Sequence, residues 1–215
     1  MKYGARYIKW APFASSADPD GVPAYGTSVS LGKLQKVTDS PSFNSVKAYG
    51  DDGIAIQIDD FKENSIAVEV TTLPASVVSS IYGATAVSTT GAAGVKFGAE
   101  DTPPYGGLGF VTCRIDDSKQ RYYQGIYYPK VQAVPQGGEY NTKGDTITLT
   151  GDSIQFTGYA SPLATGEAAT WKFESDHLAT AALAKAWVDA RLGVTPTPNP
   201  DDDGGGDGDG GGGGG

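Results

Sequence analysis

The stretch Pro103-Pro-Tyr-Gly-Gly-Leu-Gly-Phe-Val-Thr-Cys-Arg-Ile-Asp-Asp-Ser-Lys-Gln-Arg-Tyr-Tyr-Gln-Gly-Ile-Tyr-Tyr-Pro-Lys130 narrows the folds open to this chain more than any other. It reads as two β-strands joined by a polar turn, rich in β-branched and aromatic residues. It carries no recognisable nucleophile, general base or metal cluster. A chain whose strongest local signal is a strand pair usually works through surfaces, which points to assembly before catalysis.

Further strands are expected on both sides of this pair. Residues 3–13 alternate as an opening strand, and residues 14–27 form a loop with Pro and Gly turn chemistry at close spacing. A second strand is expected over Val29–Val37, followed by a Ser/Pro/Asn-rich break. Ile54, Ile56 and Ile58 fall on one face of an alternating segment after the turn Asp51-Asp-Gly53, and Ile66, Val68 and Val70 do the same after Glu63-Asn64. Each alternation is expected to bury its aliphatic face and expose the other, with Gln57, Glu69 and Thr71 outward. Residues 135–145 form a Gly-rich connection, and Thr146–Thr150 with Ile154–Ala160 suit a tight hairpin about Gly151-Asp152. Trp171-Lys-Phe-Glu174 closes the series of strands.

Two helices are expected. Pro74 to Tyr82 is a short one, with Pro74 in the first turn and Gly83 as its cap. The second covers His177–Leu192, capped by Ser175 or Asp176 and stopped by Gly193. Its apolar stripe is Ala179, Leu183, Ala186, Trp187 and Ala190. Strands outnumber helices, with no alternating strand–helix pattern. The class is mainly β, with a short flanking helix and a C-terminal helix.

Residues 1–193 are expected to form one β domain, and residues 194–215 a Pro-rich linker with a disordered Asp/Gly tail. The net charge is −9, but Asp201, Asp202, Asp203, Asp207 and Asp209 lie in that tail without a base, leaving −4 for the remainder. A mildly acidic body argues against a nucleic-acid binder that neutralises phosphates, though not against a surface past which DNA slides. The opening segment lacks the apolar core of a signal peptide, and no apolar run is long enough for a membrane helix.

The residues that tempt a chemical reading have plainer ones. His177, the single histidine, falls at a helix start, and Cys113, the single cysteine, reads as a small buried residue. Gly106-Gly-Leu-Gly109 precedes a strand instead of opening a helix, so it lacks the helix N-terminus of a phosphate loop; it reads as a turn whose glycines let backbones approach. The pairs Asp51-Asp52, Asp59-Asp60 and Asp116-Asp117 read as turn residues. Lys143-Gly-Asp145 also reads as a turn. Tyr122, Tyr123, Tyr127 and Tyr128 put phenols on both faces of one strand, covered either by the domain itself or by another subunit. No catalytic, cofactor-binding or metal-ligating residue is assigned, and no cofactor is expected.

In their order along the chain, several segments carry a likeness. They are Gly4-Ala-Arg-Tyr-Ile-Lys-Trp-Ala-Pro-Phe13, Val46-Lys-Ala-Tyr-Gly-Asp-Asp-Gly53, Leu73–Gly83, Pro103–Phe110, Arg121-Tyr-Tyr-Gln-Gly-Ile-Tyr-Tyr128, and Asn141–Ile147 leading to Ile154–Gly158. Over roughly residues 1–175 the chain resembles the major tail protein, or tail tube protein, of long, non-contractile-tailed bacteriophages. The resemblance implies a β-sandwich or partial barrel of the phage tail tube type with a flanking helix. It implies a virion protein, made in the host cytoplasm, that self-assembles into stacked hexameric rings forming the conduit for the genome. Implied partners are copies of itself, the tape-measure protein, the tail terminator and distal tail proteins, and DNA in transit, with no membrane. Sheet augmentation between subunits and ring contacts through residues 14–27 and 135–145 are further implications. Some relatives carry an immunoglobulin-like decoration domain after a linker, where this sequence has only Asp and Gly. The alternative from the residues alone is a β-sandwich adhesin or carbohydrate-binding module using the tyrosines.

Overall fold

The structure, a computed structural model, describes residues 1–50, 53–91, 93–137 and 151–194. Its strands are β1 (Lys2–Pro12), β2 (Val29–Ser30), β3 (Leu34–Gly50), β4 (Gly53–Val70), β5 (Thr85–Val87), β6 (Gly94–Lys96), β7 (Tyr105–Ile115) and β8 (Arg121–Val134). They continue as β9 (Asp152–Tyr159), β10 (Ser161–Pro162), β11 (Ala169–Thr170) and β12 (Phe173–Glu174). Helix α1 spans Ala75–Tyr82 and α2 spans Ala181–Arg191. The main sheet is antiparallel, in the order β2-β1-β7-β8-β9-β4-β3, with β12 added beside β8. Over the described residues the chain is mainly β with two short helices, as expected.

One core draws on nearly every strand of that sheet. Ile8 and Trp10 of β1, Leu108 and Phe110 of β7, and Ile126 and Tyr128 of β8 meet Ile154 and Phe156 of β9 and Ile66, Val68 and Val70 of β4. Strands from opposite ends of the order share this cluster, so the sheet folds over on itself as a sandwich-like partial barrel. Val77 and Ile81, one helical turn apart on α1, close it. Pro74 is the N-cap of α1, one position before the first turn, and Gly83 ends the helix in the left-handed region (φ 67°).

The opposite face of β7 and β8 carries a second cluster, in which Val111 and Tyr127 pack against Ala184 and Val188 of α2 and Leu192, its C-cap. Tyr127 and Tyr128 are thus buried on opposite faces by the chain itself. Helix α2 starts later than expected. Thr180 is its N-cap, accepting from the Leu183 amide at 3.2 Å. Ser175 is occupied elsewhere, accepting from Gly125 N (2.9 Å) and donating to Asp176 O (2.8 Å). Leu178 pairs with the backbone of Tyr123, so the chain is still extended where the helix was expected to begin. The buried stripe also differs: Ala184, Val188 and Leu192 face inward, while Leu183 is 53 % exposed and Ala186 and Ala190 are exposed. Glycines in β7 and β8 set this choice. A Cβ on Gly109 would lie 2.6 Å from Val188 Cγ1, and one on Gly125 would lie 2.5 Å from Trp187 Cε3. Burying Val188 there contributes about 1.5–3 kcal/mol.

Other expectations are corrected. The strand foreseen over Val29–Val37 is interrupted, with Leu31 fully buried between β2 and β3. The Ser/Pro/Asn-rich break does not occur, because β3 runs on through Pro41; as the last strand of the sheet it tolerates a proline. Gly106–Gly109 lies inside β7 and is not a turn, although its glycines do admit close neighbours. Asp59-Asp60 lies within β4, where the ladder to β3 is continuous on both sides of it. The strand over Trp171–Glu174 shortens to β12, and the Ile154–Ala160 strand is present as β9. Thr146–Thr150, Lys143-Gly-Asp145, most of the 135–145 connection and the 195–215 tail lie outside the described residues.

Candidate functional site

The two expected strands about Ile54–Ile58 and Ile66–Val70 are one strand, and its continuity builds a segment in which residues 40–49 and 56–60 are all exposed. β3 and β4 pair from Leu34↔Val70 to Gly50↔Gly53, yet β9 accompanies β4 only over Asn64–Val70. Beyond Asn64 the pair continues alone as a two-stranded ribbon. About ten residues a strand at 3.3 Å each carry it roughly 30 Å from the body.

A bulge at the base of the ribbon inverts its faces. The register passes from Ser42↔Glu63 to Phe43↔Phe61, so Lys62 is an extra residue on β4. One extra residue moves every following side chain to the other face. Ile66, Val68 and Val70 are fully buried, whereas Ile56 and Ile58, in step with them by sequence, are 59 % and 55 % exposed. This overturns the expected burial of Ile56 and Ile58.

The ribbon is amphipathic. Val46 opposite Ile58 and Ala48 opposite Ile56 share an exposed apolar face. Ser45 opposite Asp59 and Lys47 opposite Gln57 share the other. That polar face is knitted together: Ser45 Oγ donates to Asp59 Oδ1, and Gln57 Nε2 donates to both carboxylate oxygens at 3.2 Å. These bonds, Ser45 first, hold the Asp59 carboxyl below the usual range. Tyr49, near the tip, is 74 % exposed. An isolated two-stranded ribbon is marginal in water, and an apolar face without cover adds to its cost.

At the base, Phe43 meets Phe61 edge-on (5.8 Å), and Phe61 stacks on Trp171 at 5.2 Å with the planes 10° apart. Next to Trp171, Lys172 Nζ donates to Asp39 Oδ2 (3.0 Å) and to Glu174 Oε1 (2.8 Å). Glu174 Oε2 also accepts from Arg114 Nη2 at 3.3 Å. Burial works against both carboxylates ionising, but Lys172 outweighs it, and Asp39 and Glu174 are held below the ordinary range. Burial alone would lower Lys172, and its two carboxylate partners raise it instead. This network borders a cavity of about 360 Å³ between β1 and β3, also lined by Lys2, Thr112 and Tyr128. Burial, with Asp39 beside it, pushes the Tyr128 phenol well up.

The residues weighed for chemistry lie apart. His177 stacks on Tyr122 with centroids 3.8 Å apart, and Cys113 is buried in β7. Asp116 shapes the β7–β8 turn, its carboxylate accepting from Gln120 N at 2.8 Å. Among the described residues no three His, Cys, Asp or Glu side chains gather as metal ligands. Tyr127 is tied by its hydroxyl to Tyr25, and burial, against that bond, pushes it up to about 12. The side chains of Tyr127 and Tyr128 are both buried by the chain itself. Among the described residues no helix is long and apolar enough to cross a membrane. No protein-family model matches the chain, and no curated protein matches it significantly.

The ribbon was missed from sequence because its isoleucines continue the alternation of the core strand. The signal within reach was Lys62-Glu63, two charged residues in succession where an alternating strand admits one.

Proposed function

We propose that this chain is a structural subunit that self-assembles into stacked hexameric rings, forming the tail tube of a long, non-contractile-tailed bacteriophage. One observation carries this reading: a ribbon with an exposed aliphatic face projects from a body that buries its own core. Such a face favours cover by protein, and a projecting strand pair offers both free edges and side chains to a neighbouring copy. Head-to-tail contacts of this kind close into rings or extend as filaments. The tape-measure, terminator and distal tail proteins are then the other partners, DNA passes in transit, and the working location is the virion tail. The reading assigns no catalytic residue.

Electron microscopy of the purified chain tests it. Rings or tubes roughly 100 Å wide are expected, the scale of about six domains of this size around an axis. The double variant Ile56→Ser, Ile58→Ser should keep the circular dichroism of the parent and lose the assemblies. A parent chain that stays monomeric at high concentration, and also fails to join preformed tube, would sink the proposal. Glycan binding by that monomer would favour the adhesin reading.

A further inference from the structure

We propose that Trp171–Glu174 is a brace that fixes the angle of the ribbon to the body and ties that angle to helix α2. The inference rests on the reading of the ribbon as the assembly arm. Four consecutive residues each engage a different element. Trp171 stacks on Phe61 of the ribbon, and Lys172 bonds Asp39 of β3. Phe173 packs edge-on against Trp187 of α2 at 5.3 Å, with the Arg191 guanidinium 4.6 Å from its ring centre. Glu174 bonds Arg114 of β7. The backbone of Phe173 and Glu174 pairs with Tyr127 and Ile126 of β8, anchoring the segment to the centre of the sheet.

The placement of these contacts matters more than their number. Asp39 lies on the body side of the bulge at Lys62, and Phe61 lies on the ribbon side. A bulge bends and twists a strand pair, so it is where the ribbon would pivot. The brace grips both sides of that pivot. Over a lever of roughly 30 Å, a swing of about 10° moves the tip about 5 Å, which is the spacing between neighbouring strands. An unbraced ribbon would therefore meet its partner one strand out of place. Trp171, Lys172 and Glu174 are positioning residues that need not touch the partner.

Pulsed electron paramagnetic resonance on the dilute, unassembled full chain tests this. Nitroxides are placed on Lys47→Cys and Ala182→Cys in a Cys113→Ala background, and the tip-to-helix distance distribution is recorded. Trp171→Ala should broaden the distribution about twofold, since the ribbon left to itself is only marginally ordered. Trp171→Phe should restore it. The concentration needed for assembly should rise roughly tenfold in Trp171→Ala, the worth of one lost aromatic pair. Lys172→Met, which keeps the aliphatic stem, gives a second route to the same broadening if Trp171→Ala does not fold. An unchanged distribution in a folded variant would overturn the brace. Failure of the parent chain to assemble would overturn the proposed function and leave the distance measurement standing.

Discussion

Val188 of α2 occupies the space that a side chain on Gly109 would need, and the same holds for Trp187 over Gly125. Replacing Gly109 by Ala should push the helix outward and cost about 1–3 kcal/mol, the usual penalty of overpacking. A shift of the urea midpoint at constant slope would register it; an unchanged midpoint would mean that the helix seats without that contact. The glycines of this segment were legible as places of close approach, but their partner was not, since it lies some eighty residues away. Asp189 was less legible still. It is buried on the inner face of α2, accepting from Tyr7 Oη (2.7 Å) and Lys9 Nζ (2.9 Å). An acid inside a helix reads as solvent-facing, because its cations arrive from the other end of the chain. Tyr7 adopts a positive φ of 56°, which an L-residue rarely holds, within the irregular stretch of β1 that brings its hydroxyl to Asp189.

At the level of elements, alternation located most of the strands but could not see where alternation slips. Ile56 and Ile58 share a parity with Ile66 and Val68, and a pattern of period two puts them on one face until an extra residue intervenes. The extra residue belongs to a pairing, here Ser42–Phe43 against Phe61–Glu63, and pairing is not written in either strand alone. The start of α2 shows the same limit. Ser175, Asp176 and Thr180 all have capping side chains, and the choice fell to Thr180 because Ser175 and Leu178 are held by Gly125 and Tyr123 of β8. Thr180→Ala should cost about 1 kcal/mol. Hydrogen exchange at the Leu183 amide should accelerate with it, while Asp176→Ala should leave that amide unchanged. Equal acceleration in both variants would contradict the assignment of the cap.

Across the whole molecule, the Asp39–Lys172–Glu174–Arg114 network is a polar tie spanning β3, β12 and β7. Both carboxyls titrate below their unfolded values, so their contribution is complete above about pH 4 and is lost as the pH falls through the folded values. Lys172 titrates above its unfolded value, so its contribution is complete below about pH 10 and is lost as the pH rises through the folded one. Urea titrations over a pH series should show an acid limb that Asp39→Asn flattens. An acid limb of unchanged steepness in that variant would remove Asp39 from the account.

The order of strands also sets a timetable. β3 and β4 are joined almost directly, whereas β1 must find β7 about a hundred residues further along the chain. Short loops close sooner and at less entropic cost than long ones. The ribbon can therefore pair while the strands that complete the body are still unmatched, or still unmade on the ribosome. The strand pair that bears the exposed aliphatic face thus needs only a short loop to close. A nascent chain of this design exposes aliphatic surface before its body is complete, and contact between half-made copies is the hazard that its folding has to outrun.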